Sequence, residues 1–130
     1  MTPFDLEIWA KTTYGEARNQ SAEGKLAVSY VIKNRAEDRA GRWPDTPAMV
    51  CLQRMQFSAW NPGDPNVNAM ARLESTDPVY LRCVYAALTA YLSVEPDPTD
   101  GANHYAVIGT NPYWAKGEGQ KIGDHEFYTL

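Results

Sequence analysis

"GKLAVSYVIKNRAEDR", residues 24–39, decides the fold. Leu26, Ala27, Val28, Tyr30, Val31 and Ile32 cover more than half the circumference of a helix, so both of its sides need cover and the segment reads as a central helix. Ser21 is placed to cap it and Glu23 to sit near the positive end of its dipole. Upstream, Thr2 caps and Pro3 opens a first helix, with Asp5 in its opening turn. Leu6, Trp9, Ala10, Thr13 and Ala17 then recur at three- and four-residue intervals along one side. Downstream, Gly41, Pro44 and Pro47 break the pattern, and Thr46 with Pro47 starts a short helix. Residues 53–66, "QRMQFSAWNPGDPN", read as a loop. Asp77 and Pro78 then open a helix through "TDPVYLRCVYAALTAYL", with Val79, Cys83, Ala86, Ala87 and Ala90 facing inward and Leu88 and Leu92 extending that side. After a proline-broken loop, "NHYAVI" (103–108) and "EFYTL" (126–130) read as two short strands, so a small sheet is expected against a helical body.

The 130 residues, 44% of them hydrophobic, fit one domain, 1–130, with its own core. A net charge of −4 argues against a surface that tracks nucleic-acid phosphates. No run reaches the roughly 18 apolar residues of a spanning helix, and no basic segment followed by an apolar run opens the chain, so neither membrane insertion nor an export signal is expected. The two cysteines, Cys51 and Cys83, are too few for a disulfide scaffold and are expected to pack as small apolar residues, with a bridge left open for an oxidising compartment.

Within "TTYGEARNQSAEG" (12–24), Glu16 projects about 20° from Trp9 around the first helix, at the edge of its apolar stripe. A carboxylate at such a border can rest its tip in a cleft, as an acid catalyst requires, although most glutamates at helix borders are simply solvated.

Eight words stand in order along the chain: "YGEAR" (14–18), "EG" (23–24), "VIKNR" (31–35), "WP" (43–44), "QFSAWN" (56–61), "DPTDGANHY" (97–105), "YWA" (113–115) and "IGDHEFY" (122–128). Together they resemble the catalytic domain of the SleB/CwlJ-type cell wall hydrolases, the spore cortex-lytic enzymes, over nearly the whole chain. The resemblance implies an α+β fold, a mostly helical lysozyme-like domain with a small antiparallel β element near the C-terminus. It also implies cleavage of peptidoglycan glycan strands between N-acetylmuramic acid and N-acetylglucosamine, with Glu16 as the catalytic acid and no cofactor. Asp64, Asp97, Asp100 and Asp124 all fall in turn-like segments, so no second acid declares itself. A lytic transglycosylase needs only one, because the muramoyl 6-hydroxyl is the nucleophile; hydrolysis by an activated water stays open. Gln56, Phe57, Ser58 and Trp60 are expected to face the glycan, with amide and hydroxyl groups holding N-acetyl substituents and the indole stacking on a sugar ring. Tyr105, Trp114 and Tyr128 are candidates for the cleft walls, Tyr105 as a polar contact near the acid, with core packing the alternative for each. Arg18 and Arg35 are expected to anchor contacts between helices.

Other chemistries are weaker. His104 and His125 lie 21 positions apart without metalloprotease spacing, so no metal is expected. A Cys/His peptidase or an amidase acting on the stem peptide would need an exposed thiolate or a metal set, and Cys51 and Cys83 both lie in apolar surroundings. A non-catalytic wall-binding module would have no use for Glu16. The protein is expected to act as a monomer. The sequence carries neither a wall-binding segment nor an export signal, which suits a phage lysis enzyme that accumulates in the host cytoplasm and reaches the wall once another phage product opens the membrane.

Overall fold

The computed structural model describes residues 1–54 and 56–130. Helix α1 (Pro3–Ala17) begins as the sequence predicts: the Thr2 hydroxyl accepts from the Asp5 amide and the Asp5 carboxylate accepts from the Thr2 amide, a reciprocal cap of the kind that contributes about 1 kcal/mol. Asp5 also accepts from the Ala48 amide at 3.0 Å, which fixes the start of α1 to α3 (Pro47–Leu52).

Helix α2 (Ala22–Ala36) is the central element. Leu26, Tyr30 and Ile32 join Ile8, Trp9, Val50, Cys51 and Phe57 in one apolar cluster, whereas Ala27, Val28 and Val31 join Ala17, Ala102, Ile122 and Phe127 in another. The helix therefore stands between the other helices and the sheet, which is why its apolar residues run nearly all round. It ends at Ala36, short of the predicted Arg39. Beyond it the Asp38 carboxylate turns back to the amide and guanidinium of Arg42, and Gly41 adopts a φ of +67°. Lys25, in the first turn of α2, is buried and donates to the carbonyls of Arg18 and Gln20, satisfying groups that the end of α1 leaves open.

The predicted loop 53–66, of which Met55 lies outside the described residues, contains a 3₁₀ turn at Ser58–Trp60 and runs into a helix the sequence reading passed over, α4 (Pro65–Ala71), capped by Asp64. Helix α5 (Pro78–Leu92) is capped by Asp77, as expected, and packs on both α1 and α2. Leu92 does not extend its buried side: it is exposed next to Ser93, which leaves the helix in a left-handed conformation.

The β element has three strands rather than two, β1 (His104–Val107), β2 (Gln120–Ile122) and β3 (His125–Tyr128), antiparallel in the order β1-β3-β2. Gly123, with a φ of +59°, and Asp124 form the two-residue link between β2 and β3. His104 pairs with Tyr128 and Tyr105 with Phe127, so Tyr105, Val107, His125 and Phe127 share the face turned to the helices, while His104 and Tyr128 share the other. The fold is α+β and mostly helical, as expected. Among the described residues no helix is long and apolar enough to cross a membrane.

Candidate active site

Glu16 sits in the last turn of α1, and three donors hold its carboxylate. The Tyr105 hydroxyl, from β1, donates to Oε1 at 2.5 Å; the Ser58 hydroxyl and the Ala59 amide, from the 3₁₀ turn, each donate to Oε2 at 3.1 Å. Three segments remote in sequence thus meet on one side chain. Burial, then the neighbouring Glu16 carboxylate, push the Tyr105 phenol well above its ordinary value of 10.0, so this hydroxyl stays protonated and acts as a donor.

Two features bring the 3₁₀ turn within reach. The Trp60 indole donates to Thr12 Oγ1 at 2.8 Å, and Thr12 in turn donates to the Ile8 carbonyl within α1. Gly15 lets the backbones approach: a methyl group there would lie 2.6 Å from Ala59 Cβ and 3.0 Å from Met70 Sδ. The glycine before the glutamate in "YGEAR" is therefore part of how the acid acquires its donors.

The carboxylate opens into a cleft of about 380 Å³ lined by Gly15, Glu16, Arg35, Gln56, Ser58, Asn61, Asn66, Tyr105, Ala106, Val107 and His125. Among the described residues, Glu16 is the one carboxylate in this lining. Asp64 caps α4, Asp97 binds the Thr99 and Gly101 amides, and Asp124 accepts from Gln20. Of the residues predicted to touch substrate, Gln56, Ser58 and Tyr105 reach the cleft with Glu16. Phe57 is buried beneath the Arg35 guanidinium, 5.2 Å from it, and Trp60 turns its indole N–H inward to Thr12. Trp114 and Tyr128 pack edge-on at 5.5 Å, with His104 next to Trp114, on the sheet face away from Glu16.

Residues 19–128 match the family described as Cell Wall Hydrolase. The chain belongs to that family. Glu16 lies just ahead of the matched stretch of this cell wall hydrolase. The spore cortex-lytic enzymes of Halalkalibacterium halodurans and Bacillus subtilis are 29% and 28% identical to it over 95% of this chain. The chain spans only 34% and 37% of their respective lengths. The crystal structure of the catalytic domain of the Bacillus cereus SleB protein superposes with a TM-score of 0.75 at 26% identity, covering 98% of this chain and 91% of that one. The catalytic domain of the germination-specific lytic transglycosylase SleB from Bacillus anthracis gives the same TM-score and identity, over 98% and 95%. The lysozyme-like fold expected from the sequence is the fold these domains share.

Four residues with polar side chains line the cell wall hydrolase cleft without a substrate role expected from the sequence: Asn61, Asn66, Arg35 and His125. The turn signals "NPG" and "DPN" mark the two asparagines as loop residues, but nothing in the sequence places them beside Glu16. Asn66 is bound at 2.5 Å by Arg18, which ties α4 to the end of α1 rather than entering the cleft itself. His125 is buried edge-on to Tyr105 at 5.1 Å, and its Nδ1 lacks a hydrogen-bond partner among the described residues. Burial lowers its proton affinity, outweighing the opposite pull of Glu16 and Asp124.

His104 and His125 fall on opposite faces of the sheet, and among the described residues no three His, Cys, Asp or Glu side chains converge as a ligand set. Cys51 and Cys83 are free and fully buried, and burial pushes their thiols up to about 12 and about 11, so neither supplies a thiolate. A larger groove of about 890 Å³ runs between the start of α2 and α5, but its walls, among them Leu26, Leu81, Tyr85 and Ala86, are mostly apolar. Its two acids, Glu23 and Glu95, are exposed, and among the described residues neither carboxylate has donors comparable to those on Glu16. The smaller cleft is the one equipped for acid–base chemistry.

Proposed function

We propose that this cell wall hydrolase cuts peptidoglycan glycan strands at the N-acetylmuramic acid to N-acetylglucosamine linkage as a lytic transglycosylase, with Glu16 as general acid and then base. The observation that carries the reading is a single carboxylate in a polar cleft, oriented by three donors from two segments, the 3₁₀ turn and β1. In the first step Glu16 gives its proton to the glycosidic oxygen as the bond to C1 breaks and positive charge develops on the muramoyl ring. In the second, the muramoyl 6-hydroxyl attacks C1 and returns its proton to Glu16, closing a 1,6-anhydro ring. No second carboxylate is needed, because the nucleophile belongs to the substrate.

The three donors suit a group that changes charge. The Ala59 amide is fixed, whereas the Ser58 and Tyr105 hydroxyls can rotate, so the carboxyl can be held both with and without its proton. The structural neighbour from Bacillus anthracis is a lytic transglycosylase, which supports the same route. The buried, thiol-form cysteines favour it over peptide cleavage by a Cys/His pair. Glu16→Gln keeps the size of the side chain and removes the acid. Lysis of purified sacculi by that variant is expected to fall by about 10²–10⁴-fold at an unchanged melting temperature; full lysis by a folded Glu16→Gln protein contradicts the mechanism.

A further inference from the structure

We propose that Arg35 is the residue by which the cleft distinguishes muramoyl from glucosaminyl sugar, its guanidinium taking an oxygen of the muramoyl lactyl carboxyl group. The inference rests on the glycosidase reading and names which feature of the glycan the same cleft recognises.

Arg35 is 6% exposed and lines the Glu16 cleft. Its guanidinium packs against two aromatic rings, with the Trp43 and Phe57 rings each 5.2 Å from the guanidinium carbon. Its edge is fixed: Nε donates to the Asn103 carbonyl at 2.7 Å, and Nη1 donates to Gln56 Oε1 at 3.2 Å. A guanidinium carries five N–H donors, and among the described residues these two bonds leave Nη2 uncommitted. His125 Nδ1 is the one fully buried side-chain nitrogen or oxygen without a partner among the described residues, so Nη2 is not fully buried, and Arg35 is part of the cleft wall.

The charge has no ion-pair partner among the described residues, and Glu16, the acid of the same cleft, is held by Tyr105, Ser58 and Ala59 instead. Among the described residues the ion pairs are Lys11–Glu7 and Arg42–Asp38, and neither involves Arg35. A buried cation without a directly paired counter-ion is costly. A cation held this way, with a donor uncommitted in the cleft wall, matches a planar oxygen acceptor on the ligand. The two alternating sugars both carry an acetamido group and hydroxyls. Only the muramoyl residue adds a carboxyl group, through its lactyl ether. That group occurs free, as a carboxylate, or amide-linked to a stem peptide, and in both forms it presents an oxygen acceptor.

The test measures binding to Glu16→Gln protein, in which turnover is blocked, by calorimetry. Three tetrasaccharides are compared: alternating N-acetylglucosamine and N-acetylmuramic acid with free lactyl carboxylates, the same chain with lactyl methylamides, and a chain of N-acetylglucosamine alone. At least one muramoyl chain is expected to bind about 10-fold more tightly than the glucosaminyl chain, and adding Arg35→Met or Arg35→Lys is expected to shrink that preference towards unity. Preference for the free acid alone identifies the carboxylate as the group read; equal preference for the methylamide identifies the carbonyl oxygen. Equal binding of all three sugars by the Glu16→Gln protein, or a preference that survives both Arg35 substitutions, overturns the assignment while leaving the glycosidase reading intact. Binding of none of them by a folded Glu16→Gln protein removes both. Should the Arg35 variants not fold, the NMR signals of the Arg35 guanidinium in Glu16→Gln protein decide: a shift on adding a muramoyl chain but not the glucosaminyl chain supports the assignment, and the same response to both overturns it.

Discussion

At the residue scale, the proposed chemistry depends on how one carboxylate is held. Tyr105 provides the shortest of its three hydrogen bonds, and burial keeps that phenol a donor at any ordinary pH. Tyr105→Phe removes the hydroxyl and keeps the ring that packs against Phe127. A hydrogen bond to a charged group is worth about 1.5–3 kcal/mol, so kcat is expected to fall roughly 10- to 100-fold with little change in melting temperature. An unchanged kcat would remove Tyr105 from the mechanism. Glu16 stands out in the sequence as an acid at the rim of an apolar stripe, and Tyr105 as an aromatic with a polar tip. Arg35, Asn61, Asn66 and His125 do not, because they meet Glu16 only through folding of segments far apart in the chain. Phe57 and Trp60 show the converse: in the sequence they look like sugar contacts, but their rings hold the loop in place.

At the element scale, caps and prolines carry most of the information. Thr2, Ser21, Thr46 and Asp77 each accept a backbone N–H at the helix start their types suggest. Two elements escaped for reasons of length. Helix α4 is seven residues long, too short to establish a period, although Asp64-Pro65 is a cap followed by a proline. Strand β2 has three residues, and its clearest signal is the Gly123-Asp124 pair, a two-residue hairpin turn. Gly15 gives the sharpest test at this scale, because two effects oppose. Alanine at a helix-interior glycine ordinarily adds about 0.5–1 kcal/mol of stability, but here its methyl group would meet Ala59 Cβ at 2.6 Å and push away the turn that carries two of the three donors to Glu16. Gly15→Ala is expected to lower sacculus lysis at least about 10-fold while the protein remains folded by circular dichroism. Undiminished lysis would mean that the approach of the 3₁₀ turn is not needed.

At the scale of the whole molecule, α2 separates a helical cluster from a sheet-side cluster, and the acid lies where the two halves meet. That arrangement is legible in residues 24–39 because a helix covered on both sides must be apolar nearly all round. Folding also sets the pH dependence. Burial lowers the proton affinity of His104, with help from Arg35 and Arg42, and of His125. The unfolded chain therefore takes up protons near pH 6.5 that the folded chain refuses, so stability is full above that value and falls as pH drops through it. Asp5 continues the trend. Burial works against its ionised form, but the Thr2 and Ala48 amides and the Thr2 hydroxyl hold its carboxyl below the ordinary 3.8, so its contribution is lost only in stronger acid. The melting temperature is expected to decline steadily from pH 7 to pH 5 and again below pH 4, with replacement of both histidines by glutamine flattening the first decline. A melting temperature that rises on acidification from pH 7 to pH 5 would reverse the sign of this account.

In the proposed mechanism one acid suffices because the substrate brings its own nucleophile. Mass spectrometry of the glycan ends released from purified sacculi tests it directly. Muramoyl ends about 18 Da lighter than reducing ends are expected, the mass of one water by which a 1,6-anhydro ring differs, with at least about 10²-fold fewer released by the Glu16→Gln protein. Muramoyl ends that are all reducing, carrying ¹⁸O when the digestion is run in labelled water, would contradict it.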